Sequence, residues 1–148
     1  MFDRNNIEDI RPLNQTQNSI LISHIKEPDE QSYIHHLCFD IKGEFNIDYF
    51  QEAYSCLIQK YSVLRSVLLY QNIQKPVLVV MKSREDKMAC IRADAKSVKE
   101  VTEELLLKEN KKLSKLERIF LFEIAVIVPE ANEAMNRIIF SFHHIILD

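Results

Sequence analysis

The chain ends in His143-His144-Ile145-Ile146-Leu147-Asp148. Two imidazoles close a hydrophobic run, and a carboxylate follows the second after three apolar residues. An imidazole titrates near neutral pH and can serve as a general base at the rim of a cleft. A carboxylate shortly after it can fix a turn by pairing with a cation, or can orient backbone amides. Neighbouring side chains of a strand point to opposite faces. His143 and His144 therefore do not share a metal ion while the strand stays regular. One faces the packed side of the sheet and the other an opening. The competing reading is a pair of packed histidines at a strand end, and residue chemistry alone leaves both open.

Other candidates offer less. His35 and His36 form a second pair, but they lie within a strand pattern and face apart, so no metal site is expected from them with Cys38. His24 reads as a surface residue near the end of the first helix. The run Lys108-Glu109-Asn110-Lys111-Lys112 reads as a solvated helix end. Phe120, Phe122, Phe140 and Phe142 recur at strand spacing and read as core.

Composition removes whole classes of function. A single glycine, Gly43, stands in 148 residues. A phosphate-cradling P-loop and a dinucleotide fingerprint each need several glycines, so neither is present. Nineteen basic residues against 22 acidic ones give a net charge of -3, with no electrostatic footprint for nucleic acid or an anionic membrane. No apolar run is long enough to span a bilayer as a helix, and the polar, acidic N-terminus does not resemble a signal peptide. Cys38, Cys56 and Cys90 are odd in number with no Cys-x-x-Cys spacing, which points to reduced thiols and a cytoplasmic setting. With 47% hydrophobic and 28% charged residues, the chain can build one core.

The elements that must position these residues follow from periodicity. Residues 12–23 open on proline and predict a short helix, with Leu13, Gln17, Ile20 and Leu21 on one face. Residues 32–43 alternate and predict a strand with two fairly apolar faces. Asn46 caps a helix from Ile47, whose stripe is Ile47, Phe50, Tyr54, Leu57, Ile58 and Tyr61. Residues 63–70 and 76–82 predict a hairpin. Residues 88–94 read as a short strand, 97–113 as an amphipathic helix, and 118–128 and 136–144 as long strands. The order predicts an α/β (α+β) two-layer sandwich: a mixed, largely antiparallel sheet with helices on one face.

In this frame the terminal hexapeptide matches the His-His-x-x-x-Asp core of a signature in the condensation domains of nonribosomal peptide synthetases. These belong to the wider chloramphenicol-acetyltransferase-like group. Other segments resemble the family in the same order. Leu13, Asn14 and Gln17 match its opening Pro-Leu-Ser-x-x-Gln segment. Residues 43–68 resemble its turn, helix and following Arg-His-Glu-x-Leu-Arg-Thr stretch, with Leu64, Arg65 and Ser66 at the Leu-Arg-Thr positions. Residues 75–80 are similar to its next strand. Lys60, Tyr61 and Ser62 depart from the usual Arg-His-Glu, and Leu147 replaces a small residue.

The resemblance implies a chloramphenicol-acetyltransferase-like half-domain, with residues 1–148 as the N-terminal lobe and the C-terminal lobe absent from this chain. It implies an acyltransferase that forms amide bonds between acyl or aminoacyl thioesters held on the phosphopantetheine arms of carrier-protein domains. The protein itself then binds no cofactor directly. His144 is carried over as the catalytic residue, taking a proton from the attacking amine or holding that amine in place. His143 is scaffold. Asp148 is structural and pairs with Arg65, or with Lys60 as the fallback. Phe142 lines the tunnel if it shares the face of His144. One lobe alone is expected to be inactive and to self-associate through an exposed apolar face. The alternatives are a non-catalytic or degenerate lobe that binds carrier proteins, an epimerisation domain, and a smaller CoA-dependent acyltransferase.

Overall fold

The computed structural model describes residues 4–27, 32–85, 87–94, 97–130 and 135–147. Asn14 and Asn46 start the first two helices in the way short polar side chains do, by accepting a backbone N–H of the first turn. Asn14 and Gln17 form a reciprocal capping box at the start of α1 (Gln15–Lys26). Asn46 accepts from the Tyr49 N–H at the start of α2 (Ile47–Lys60). The expected helix at 12–23 thus begins later, because Pro12 closes a strand and Asn14 is the cap. That strand, β1 (Ile7–Pro12), has no signal in the sequence: Glu8, Asp9 and Arg11 interrupt its apolar residues and most of it is exposed, as suits a sheet edge.

The remaining elements are β2 (Ile34–Ile41), β3 (Ser66–Leu69), β4 (Val77–Met81), β5 (Ala89–Ala93), α3 (Val98–Leu113), β6 (Phe122–Pro129) and β7 (Asn136–His143). They form the mixed, largely antiparallel α/β sandwich that the sequence predicts, with the strands divided between two sheets. One sheet has the order β1-β4-β3 and the other β2-β7-β6-β5. The predicted hairpin is β3–β4, antiparallel. A 3-10 turn, Ser62–Arg65, occupies the start of its expected first strand. β5 runs parallel to β6, and every other strand pair is antiparallel. β6 starts four residues later than predicted because Leu116 and Arg118 take positive φ in the turn before it. With one glycine in the chain, that turn uses side-chain-bearing residues. The strain at Leu116 accompanies complete burial of its side chain.

The helices do not share one face, contrary to the expectation from sequence. Along β6 the side chains alternate. Phe122, Ile124 and Val126 pack in the main core with Tyr54 and Ile58 of α2. Ala125 and Ile127 pack with Leu105 of α3 in a second cluster. A strand with both flanks apolar is covered on both sides. Periodicity cannot say which helix takes which side.

Candidate active site

β7 lies between β2 and β6, so its C-terminal end is held from two sides. The His143 N–H donates to the Leu121 carbonyl at 3.0 Å, and the His144 N–H donates to the Tyr33 carbonyl at 2.7 Å. The chain then turns, and the Ile146 N–H donates back to the His143 carbonyl at 3.1 Å. Ile145 and Ile146 are buried, which pins the turn to the core. Gln17 reaches across from the first turn of α1, its Nε2 donating to the Ile145 carbonyl at 3.0 Å. The same side chain accepts the Asn14 N–H in the capping box. One glutamine therefore couples a helix start to the terminal turn.

The two histidines have opposite surroundings, as alternation requires. His143 is 1% exposed. Its Nδ1 accepts the Ile145 N–H at 3.1 Å, so the ring proton sits on Nε2. The His24 ring stands edge-on to it at 5.8 Å, and the Tyr33 ring lies at 6.2 Å. Burial pushes the His143 imidazole down from 6.5 to about 3, with His24, His144 and His35 adding repulsion. Burial therefore keeps the His143 ring neutral across the physiological range. His144 is half-buried, on the other side. The His35 ring stands against it at 5.4 Å and 72°, and His35 also lies tilted on Phe142 at 5.6 Å. Phe142 thus shares a three-ring group with His144. The same face continues along the β2 edge as Leu37, Phe39 and Ile41, each 38% exposed or more.

A scan against family models matches residues 7–148 to the condensation domain. The chain belongs to the condensation-domain family. Among its relatives, surfactin synthase subunit 3 of Bacillus subtilis is 27% identical over 99% of the chain. Tyrocidine synthase 3 of Brevibacillus parabrevis is 28% identical over the whole chain. The chain spans 12% and 2% of the length of these two proteins. Its fold matches a solved four-domain nonribosomal peptide synthetase bound to AMP and glycine, with TM-score 0.72, 20% identity, and coverage of 96% of this chain and 11% of the other. It also matches the first condensation domain of the calcium-dependent antibiotic synthetase in complex with a substrate analogue. There the TM-score is 0.73 at 13% identity, over 94% of this chain and 35% of the other.

Not every residue singled out in this condensation-domain sequence lies where expected. Arg65 is buried in the 3-10 turn before β3. Its Nη1 donates to Glu8 at 2.8 Å and to the Met81 carbonyl at 2.5 Å. Its Nε is buried without a partner among the described residues. Asp148, its expected partner, lies outside those residues. Lys60 is exposed, with its ammonium over the Tyr61 ring at 5.4 Å. His24 is not a surface residue. It is 6% exposed because it continues the inward stripe of Ile20 and Leu21 at helical spacing. Burial lowers its pKa, and a hydrogen bond with the Ser114 backbone opposes that shift.

The end of α3 is also more than a solvated run. Glu109 falls on the inward stripe of Thr102, Leu105 and Leu113 and is 9% exposed. Lys112 pairs with Glu123 of β6, which Arg84 also meets at 3.2 Å. His36 faces away from His35, bonding the Ser141 hydroxyl and Asn110 Oδ1 at 2.8 Å each. Among the described residues no group of three His, Cys, Asp or Glu side chains is placed to hold a metal ion. The three cysteines are exposed and unbonded. Among the described residues no helix is long and apolar enough to cross a membrane. The residues that sequence reasoning undervalues are His35 and Gln17. His35 has a signal in the period of two, which sets it opposite Phe142 once the register is known.

Proposed function

We propose that this chain is the N-terminal lobe of a condensation domain that forms amide bonds between acyl or aminoacyl thioesters on carrier-protein phosphopantetheine arms. The observation that carries the reading is the family match over residues 7–148 together with His144 lying half-buried on an open, apolar-edged face. In the reaction the acceptor amine attacks the donor thioester carbonyl. A carbon–nitrogen bond forms, the carbon–sulfur bond breaks, and the thiol leaves. His144 accepts the amine proton or holds the amine in line. Asp148 and Arg65 keep the turn in shape, and Phe142 lines the approach. The strip of Leu37, Phe39 and Ile41 takes the C-terminal lobe, and an isolated lobe pairs with a second copy there and is inactive. Carrier domains are the partners this reading requires, and the family match over residues 7–148 is what supports them.

The test is amide yield from the intact synthetase with loaded carrier domains. His144→Ala is expected to lower the rate by about 10²–10⁴-fold. An undiminished rate refutes the assignment. A second reading, a non-catalytic lobe that only docks carrier proteins, draws on the departure of Lys60, Tyr61 and Ser62 from the family pattern. It predicts carrier binding with no amide product.

A further inference from the structure

We infer that His35 is a positioning residue for His144, holding the ring of the reacting imidazole by edge-to-face contact. The inference rests on the reading of His144 as that imidazole. His144 follows the last residue of β7, and its N–H bonds to the Tyr33 carbonyl in the turn before β2. In the β2–β7 register His35 stands opposite Phe142, two residues before His144, so His35 is a diagonal neighbour of His144. Diagonal neighbours on one sheet face lie within reach of aromatic rings. The rings of His35 and His144 meet at 5.4 Å and 72°.

The contact matters because little else orients the His144 ring. Its buried neighbour His143 is locked by the Ile145 N–H on Nδ1. No hydrogen bond reaches the His144 ring from the described residues. Its direction is set by packing, and the ring packed on it is that of His35. His35 is itself braced on Phe142 at 5.6 Å and 33°. Phe142 sits on the central strand opposite both His35 and Phe122. The order of support runs from the core through Phe142 and His35 to His144. A ring held in one rotamer meets the incoming amine without a search, and loss of that hold lowers the rate of the bound complex rather than its binding.

The experiment uses the intact synthetase with loaded carrier domains. His35→Ala is expected to lower kcat about tenfold, equivalent to about 1.4 kcal/mol, with KM for the carriers and Tm unchanged. His35→Phe, which keeps a ring of similar shape, is expected to recover kcat to within about threefold. Adding His35→Ala to His144→Ala is expected to cost nothing further, because the residue acts through the ring it positions. Wild-type kcat in His35→Ala, a fall in His35→Phe as deep as in His35→Ala, or an additional loss in the double variant overturns the inference. A His144→Ala protein that stays fully active refutes the reading of His144 instead. An inactive His144→Ala beside an unimpaired His35→Ala refutes only the role of His35.

Discussion

Acid should unfold this protein through His143, and the size of the effect follows from its burial. The imidazole titrates near 6.5 in an unfolded chain and at about 3 in the fold. Between those values the unfolded state binds a proton that the folded state refuses, so stability is lost as pH falls. The contribution is intact above about pH 6.5 and is fully gone only below about pH 3. Each unit of displacement is worth about 1.36 kcal/mol. At pH 5 the loss is about 2 kcal/mol, and the full span amounts to about 5 kcal/mol. Charge repulsion from His24, His144 and His35 acts in the same direction. The assay is urea unfolding at pH 7 and pH 5 for the wild type and His143→Asn. The amide oxygen of asparagine can still accept the Ile145 N–H, but the side chain does not titrate. The carboxylates are common to both proteins, so the wild type should lose about 2 kcal/mol more than the variant across that interval. Equal losses would refute the claim that the ring is held neutral by its surroundings.

Two further substitutions test the supports of the site. Gln17→Ala removes the donor to the Ile145 carbonyl and the acceptor for the Asn14 N–H, and should cost about 1–2 kcal/mol in urea unfolding. Faster amide exchange confined to the first turn of α1 and the His143–Ile146 turn would confirm where the cost falls. Glu109 is buried with Oε2 unpartnered among the described residues, and burial raises its pKa, with Glu123 adding to the rise against Lys112 and Lys108. Its charge therefore opposes folding at neutral pH. Glu109→Gln should stabilise the protein by about 1 kcal/mol at pH 7, read as a higher Tm. The gain should fade as acid protonates the wild-type carboxyl in both states.

Local pattern was enough for much of this chain, for reasons visible in particular residues. Asn46 and the stripe from Ile47 to Ile58 specify α2 because a cap and a 3.6-residue period act within one helix. The alternation from Ile34 to Ile41 specifies β2 in the same way. The ordered family segments and the two histidines at the end of an apolar strand were also legible, since they are matters of residue type and spacing. Tertiary structure alone decided which strands met. β1 carries three charged residues in six and became a strand because β4 offered it a ladder. The division into two sheets, and the placing of α2 and α3 on opposite sides of β6, depend on pairings across long stretches of chain that no local window contains. The same holds for the site. Sequence put His24 outside and dismissed His35. The fold buried the first against His143 and set the second against His144, because strand register and helix packing bring together residues that the sequence keeps apart.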